Sequence, residues 1–422
     1  MELVNQATQI AYSLDTLYLL LSASLMVWMA AGFTLLEAGM VTTKSVAEIL
    51  TKNIALYAIT SLVFMLVGYN VIYEGGPQGI IPTIHFFLGV DYSVLDIAQL
   101  QEGKVHSKLA DFFFQLLFAT ASISIVSGAI AERMKLWPFL WFTVAMTGLI
   151  YPVQAYWYWG GGFLKTWGFL DFAGAGLVHL TGACAALTGV WVLGARHNKY
   201  IHLPDGRVGT RAIPGSNIPL VTIGVLMLWI GWFGFNGGSY GQINSLAHAN
   251  AVALIFVNTN MAAVGGFLSA LIVSRLWYGK ADLTLGLNGS ISGLVAITAE
   301  PLMPTPGLAS LIGIVSGILV VPLIIWIDTK MKLDDPVGAI AVHGLGSILG
   351  LLAMVLSHPK AGLLIQLSGI GIILAWSLFT SLMVWLLLKY TIGIRMSSTS
   401  EKMGADIAEI GLEAYPEFVS RQ

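Results

Sequence analysis

Charge and cysteine are what this chain of 422 residues has least of. Only 10% of its residues are charged while 56% are hydrophobic, and its one cysteine, Cys184, stands inside an apolar run. A lone thiol excludes a disulfide framework and a cysteine metal centre, so Cys184 reads as a small packing residue. Neither a metal nor a cofactor is expected. With a formal net charge of -2 and no basic stripe, nucleic-acid binding has no support. So few polar side chains cannot cover so much apolar surface in water, and lipid is the expected solvent.

What the chain does have is a succession of long apolar runs. Stretches of about 20 residues, enough to cross roughly 30 Å of hydrocarbon, are centred near residues 27, 64, 121, 147, 184, 226, 262, 292, 318, 347 and 376. The expected fold is an all-α polytopic membrane protein of eleven transmembrane helices. The first run, Leu17 to Leu36, has no basic segment before it and is long enough to span, so it reads as the first helix and not as a signal peptide. An odd number of spans puts the termini on opposite sides. With the N-terminus outside, sixteen of the twenty basic residues face the cytoplasm, and Lys104, Lys108, Lys165 and Lys360 remain outside beside Glu74, Asp91, Asp96 and Glu102. The positive-inside rule therefore predicts a plasma-membrane protein with its C-terminus in the cytoplasm. Residues 1–390 form the helical domain and 391–422 a cytoplasmic tail. The tail's composition admits a solvated, partly disordered end and a docking element equally. Abundant glycine (Gly 47) implies close helix packing.

Most of the eight histidines fall in loops. His179 and His343 do not: they lie in the fifth and tenth apolar runs, each separated by seven residues from a preceding aspartate, Asp171 in DFAGAGLVH and Asp335 in DPVGAIAVH. Five spans between equivalent positions reverse direction, so two five-helix halves form an inverted repeat, with a site at their interface and an eleventh helix outside it. An ionisable group within a span is expensive and marks function by default. A single buried histidine is more often a neutral packing residue; the matched pair favours function. Two facing imidazoles can share a hydrogen bond and leave a polar strip along an apolar lumen. Asp171 and Asp335 precede helical runs, where a carboxylate caps free amides. Electrostatic support for a cation by Asp171 is the alternative.

Longer motifs now add to the spacing: GAIAERMKLW at 128–137, YWGGGFL at 158–164, WIGWFGFNGGS at 229–239, FVNTNMAA at 256–263, DDPVGAIAVHG at 334–344 and EIGLEAYPEF in the tail. In this order they resemble the ammonium transporter family, the Amt branch of the Amt/Mep/Rh superfamily, over nearly the whole chain. The resemblance implies eleven helices per subunit, a pore within each subunit and a homotrimer. By motif position it places Trp159, Ser239 and Phe118 at an outer ammonium recruitment site. It further implies that Phe114 and Phe118 form a stacked gate that Phe235 completes, and that Trp232 and Thr298 line the lumen with His179 and His343. An aromatic face attracts ammonium while a serine oxygen accepts one of its protons. From the residues alone, Trp157 and Trp159 also fit an interfacial aromatic belt.

Three positions depart from the family pattern. Ala175 replaces the last glycine of DFAGG. Gly338 stands where an aspartate usually follows DDP by one residue, which removes an anchor at the start of the tenth helix. Glu300 follows AITA where a small residue is usual, and exposure at the outer end of the eighth helix is expected for it.

A bare cation crossing an apolar lumen carries a large desolvation cost, whereas neutral ammonia does not. Ammonium is therefore expected to be recruited outside, deprotonated near the gate and passed as ammonia along His179 and His343. Any electrogenic transport requires the proton to travel separately. Methylammonium is the expected analogue. The resemblance also implies a PII-type signalling protein as a partner at the cytoplasmic mouth. The rival reading is an ammonium sensor of the same fold that signals through its cytoplasmic face. An enzyme is not expected, because the two histidines lack a nucleophile or clustered ligands.

Overall fold

The computed structural model describes residues 6–76, 79–92, 106–204 and 206–418. Asp96, Glu102, Lys104 and Arg421, which enter the charge distribution above, lie outside the described residues. The first five helices are α1 (Gln6–Met40), α2 (Thr43–Tyr73), α3 (Lys108–Ala129), α4 (Leu136–Tyr156) and α5 (Ala175–Leu193). The next five are α6 (Ile218–Gly238), α7 (Leu246–Tyr278), α8 (Leu283–Thr298), α9 (Pro306–Met331) and α10 (Ala339–Leu356), followed by α11 (Leu363–Thr391). Ten of these are long and apolar enough to span a membrane, and α8 is a shorter apolar helix. They match the eleven hydrophobic runs one for one. A short antiparallel ribbon, β1 (Tyr200–His202) with β2 (Val208–Thr210), sits between α5 and α6.

The direction of the paired helices follows from where glycines touch. A methyl group added to Gly32 of α1 would lie 2.7 Å from the Gly224 carbonyl of α6, and one on Gly234, ten residues further along α6, would lie 2.3 Å from the carbonyl of Ser22, ten residues back along α1. The first helices of the two halves therefore run antiparallel. So do the fifth and tenth, where Gly176 meets Leu351 and Gly344 meets Ala183. This is the relation an inverted repeat requires. Elsewhere, α7 packs into α8 and α9 with no room for side chains. A methyl group on Gly313 would sit 2.0 Å from the Ala262 carbonyl, and one on Gly266 would sit 2.2 Å from that of Gly289. Small residues here let the backbones approach, as lipid-solvated helices require.

The tail is docked as far as Ala414 and Tyr415, which pack on an apolar cluster that includes Val41, Val46 and Ile49. Its first residues pair with the α3–α4 loop: Lys135 N donates to Ile394 O at 2.9 Å and Met396 N to Arg133 O at 3.0 Å. A short helix, α12 (Ser398–Met403), accepts Lys44 Nζ at the carbonyls of Glu401 and Lys402, at 3.0 and 2.7 Å. Asp406 Oδ1 accepts the Glu48 amide at 2.8 Å, and Glu409 accepts that of Leu136 at 3.0 Å. On the same face Arg196 grips Asp334 through Nε and Nη2 at 2.8 and 2.9 Å. Although burial pushes the Asp334 carboxyl up, this bidentate contact holds it well below the usual carboxylate range.

Candidate functional site

The start of α5 explains how one histidine is placed. Helix starts leave amide donors without partners, and here a single carboxylate serves four of them. Asp171 accepts from Gly174 (3.1 Å) and Ala175 (2.8 Å) at Oδ1, and from Gly176 and Leu177 (both 2.9 Å) at Oδ2. Gly174 adopts φ 97°, which favours glycine. The loop is pinned to the end of α8 by Phe172 N donating to Ala299 O and Ala173 N to Thr298 O, at 2.8 and 3.1 Å. Burial pushes the Asp171 carboxyl up to about 7 against the opposing pull of its four amides. Beyond it, residues 175–180 wind as a π-helical turn containing His179, a wide turn common at functional sites. At α10, Asp335 accepts from Val337, Gly338 and Ile340 at 3.2, 3.0 and 2.8 Å. Gly338 itself has φ 78°, so the anchor comes from three residues upstream and a left-handed glycine follows it.

The two histidines meet in the core. Their ring centroids are 5.1 Å apart with planes 14° from parallel, and their side chains are 0% and 3% exposed. The Trp232 indole stacks on His179 at 5.0 Å and 15°, and Phe235 follows at 5.3 Å. Trp232 Nε1 donates to Thr298 Oγ1 at 2.8 Å, and that hydroxyl donates to Leu294 O at 2.7 Å. The shared hydrogen bond expected between the imidazoles is not formed. His179 is held by its faces, and both of its ring nitrogens, together with His343 Nδ1, are buried without a hydrogen-bond partner. Such groups are costly to leave unmade, and they present donors and acceptors to a small polar guest.

Outside this pair lies a cavity of about 330 Å³ bordered by Phe114, Phe118, Trp159 and Ser239. Phe118 packs on Phe235 at 4.4 Å and stands edge-on to Trp159 at 5.3 Å. Phe114 does not stack on Phe118: the rings are 5.0 Å apart at 77°. The reason is Gly238, whose missing methyl would lie 2.3 Å from Phe114 Cε2, so that ring turns toward α6. The nearest ring contact of Phe118 among these is with Phe235, tilted at 54°. Ser239 Oγ donates to Phe235 O at 2.8 Å, which leaves its oxygen lone pairs free.

Two acidic residues need comment. Asp111, overlooked in the sequence, borders the same cavity and accepts from Tyr69 Oη at 2.8 Å and Gln115 Nε2 at 3.2 Å. Its signal was the one that marked the histidines, an ionisable group within a span. Glu300 is buried, contrary to expectation. Its carboxylate accepts the amides of Leu302 and Met303 at 3.0 and 3.2 Å and lies 3.8 Å from His358 Nε2. The turn after α8 needs an acceptor, and Glu300 folds back to supply it.

Comparisons with known proteins agree over nearly the whole length. A family model described as Ammonium Transporter Family matches residues 17–415. Ammonium transporter Amt2 of Archaeoglobus fulgidus is 37% identical, covering 96% of this chain and 89% of that protein. Ammonium transporter Amt1 of Methanocaldococcus jannaschii is 30% identical, covering 96% and 97%. Among solved structures, a Sensor Amt Protein superposes with a TM-score of 0.86 at 34% identity, over 95% of this chain and 99% of that one. Candida albicans Mep2 gives 0.80 at 25% identity, over 98% and 93%.

Proposed function

We propose, on the premise that this chain belongs to the ammonium transporter family, that it recruits ammonium at an outer aromatic site, deprotonates it and conducts ammonia past the histidine pair. Members of this family are transporters and not enzymes. The observation that carries the reading is the set of three orphaned imidazole nitrogens beneath an aromatic vestibule. Ammonium binds against the Trp159 and Phe118 rings, with the Ser239 oxygen accepting one N–H. Entering the core as a cation would cost roughly several kcal/mol, so the proton leaves near Phe118 and Phe235. Ammonia then exchanges hydrogen bonds with His179 and His343 beside Trp232 and Thr298. Asp171 adds electrostatic support near the mouth, and Asp335 holds the start of α10. The protein works as a homotrimer with its N-terminus outside, and a PII-type protein binds at the cytoplasmic face.

The test is current recording on solid-supported membranes bearing the reconstituted protein, pulsed with ammonium and then potassium. An ammonium-specific current, also seen at reduced size with methylammonium, is expected. Potassium, which cannot shed a proton, should give none. No ammonium-specific current or flux would overturn the transporter reading and favour a second one, an ammonium sensor. That alternative is favoured by the likeness to the Sensor Amt Protein and by the docked tail.

Asp111 supplies a further measurement. Asp111→Asn keeps the hydrogen bond from Tyr69 and removes the charge. It should raise the half-saturating ammonium concentration by roughly three- to tenfold, the scale for a partly buried charge acting across such a vestibule. The maximal current should stay near the wild-type value. An unchanged half-saturation would assign Asp111 to packing alone.

A further inference from the structure

A second cavity, of about 20 Å³, touches His343 away from the vestibule and is bordered also by Phe33, Asn288, Val342 and Glu37. Its volume is that of one water molecule. Glu37, near the end of α1, is 0% exposed. Its Oε2 accepts Asn53 Nδ2 at 3.1 Å and Ser127 Oγ at 2.7 Å, and its Oε1 has no partner. Behind it, Lys52 Nζ donates to Ser127 O at 3.2 Å and lies 4.0 Å from Glu48 Oε2. The Glu48 amide is capped by Asp406 of the tail. All of these ionisable groups are nearly or fully buried, in a part of the chain where each is expensive to place. Glu48 Oε1 and Asp406 Oδ2 are likewise buried without a partner, but of these three carboxylates only Glu37 borders the cavity that His343 shares.

We propose that Glu37 is the proton acceptor that drains the histidine pair toward the face where the tail docks. This rests on the transporter reading above, which needs an exit for the proton ammonium leaves behind. The step balances with one water molecule as the bridge. The protonated His343 ring breaks an N–H bond to that water as the water breaks one of its own O–H bonds to Glu37 Oε1. Imidazole, water and a carboxylic acid result, with the positive charge moved toward the tail. Lys52, set between Ser127 and Glu48, lies on the side of Glu37 away from the cavity.

The experiment compares wild type and Glu37→Gln in the same proteoliposomes by two readouts: ammonium-evoked current, and permeation of neutral ammonia followed by internal alkalinisation. The expected result is a maximal current at least tenfold lower, with half-saturation and ammonia permeation unchanged. Current within twofold of wild type would overturn the proposal and leave the transporter reading standing. Loss of both current and permeation would also overturn it, by making Glu37 a structural support of the lumen. A wild-type protein without current would instead defeat the transporter reading itself. If Glu37→Gln does not fold, Glu37→Asp decides. It keeps the charge near Lys52 but withdraws the oxygen by one methylene, so a severalfold lower current with intact permeation supports the relay, and wild-type current overturns it.

Discussion

His179→Ala and His343→Ala should each abolish the ammonium-specific current, a loss of at least about 100-fold, in protein that still folds. No side chain or backbone group is hydrogen-bonded to the orphaned nitrogens, so truncation strands no buried polar partner. The stability cost is that of a cavity, roughly 2–4 kcal/mol, and less if the site fills with water. What disappears is the polar strip beneath Phe118 and Phe235. On the proposed mechanism, ammonia then loses its hydrogen-bonding partners in the core and the proton has no ring nitrogen to occupy. The check is the pair of ammonium and potassium pulses, with gel-filtration profiles to confirm folding. Wild-type selectivity in both variants would make the histidines packing residues.

The second large effect is expected on stability. Asp171→Ala removes the acceptor for four buried amides at once. At roughly 1–3 kcal/mol for each stranded donor, the sum approaches the whole stability of a typical domain. The thermal midpoint in detergent should fall by about 10 °C or more, or the variant should fail to accumulate. Asp335→Ala strands three amides in a less buried turn and should fall by less. A midpoint for Asp171→Ala within about 2 °C of wild type would mean that the amides find other acceptors, and that the aspartate matters for the cation alone.

Hydropathy and span length made the eleven helices legible, because a chain in lipid must satisfy its backbone within each span. The D-x7-H pairs gave the inverted halves and both histidines, since a buried ionisable group stands out against an apolar background. The orientation of rings was not legible. The family resemblance implies that Phe114 and Phe118 stack, and motif position carries no information on ring planes. The plane of Phe114 is decided instead by the gap at Gly238, a residue 124 positions away. Glu37 was missed for a similar reason. Its sequence neighbourhood looks like an ordinary helix end, and only the tertiary fold, which sets Phe33 of α1 6.3 Å from His343, brings it to the cavity that His343 shares. Glu300 looked exposed because it follows an apolar run; the need of Leu302 and Met303 for an acceptor drew it inward. The tail's docking rests on contacts to the α3–α4 loop, to Lys44 and Glu48 of α2 and to Leu136 of α4, far apart in sequence, which composition does not encode.

The hydroxyl of Ser239 has already given its hydrogen to the Phe235 carbonyl. It therefore has nothing left to donate, and only its lone pairs face whatever settles beside it. Those lone pairs suit any small cation: ammonium and methylammonium through an N–H, potassium as a bare ion. A mouth built this way would gather cations without telling them apart, so selection would fall to the lumen, where potassium has no proton to release.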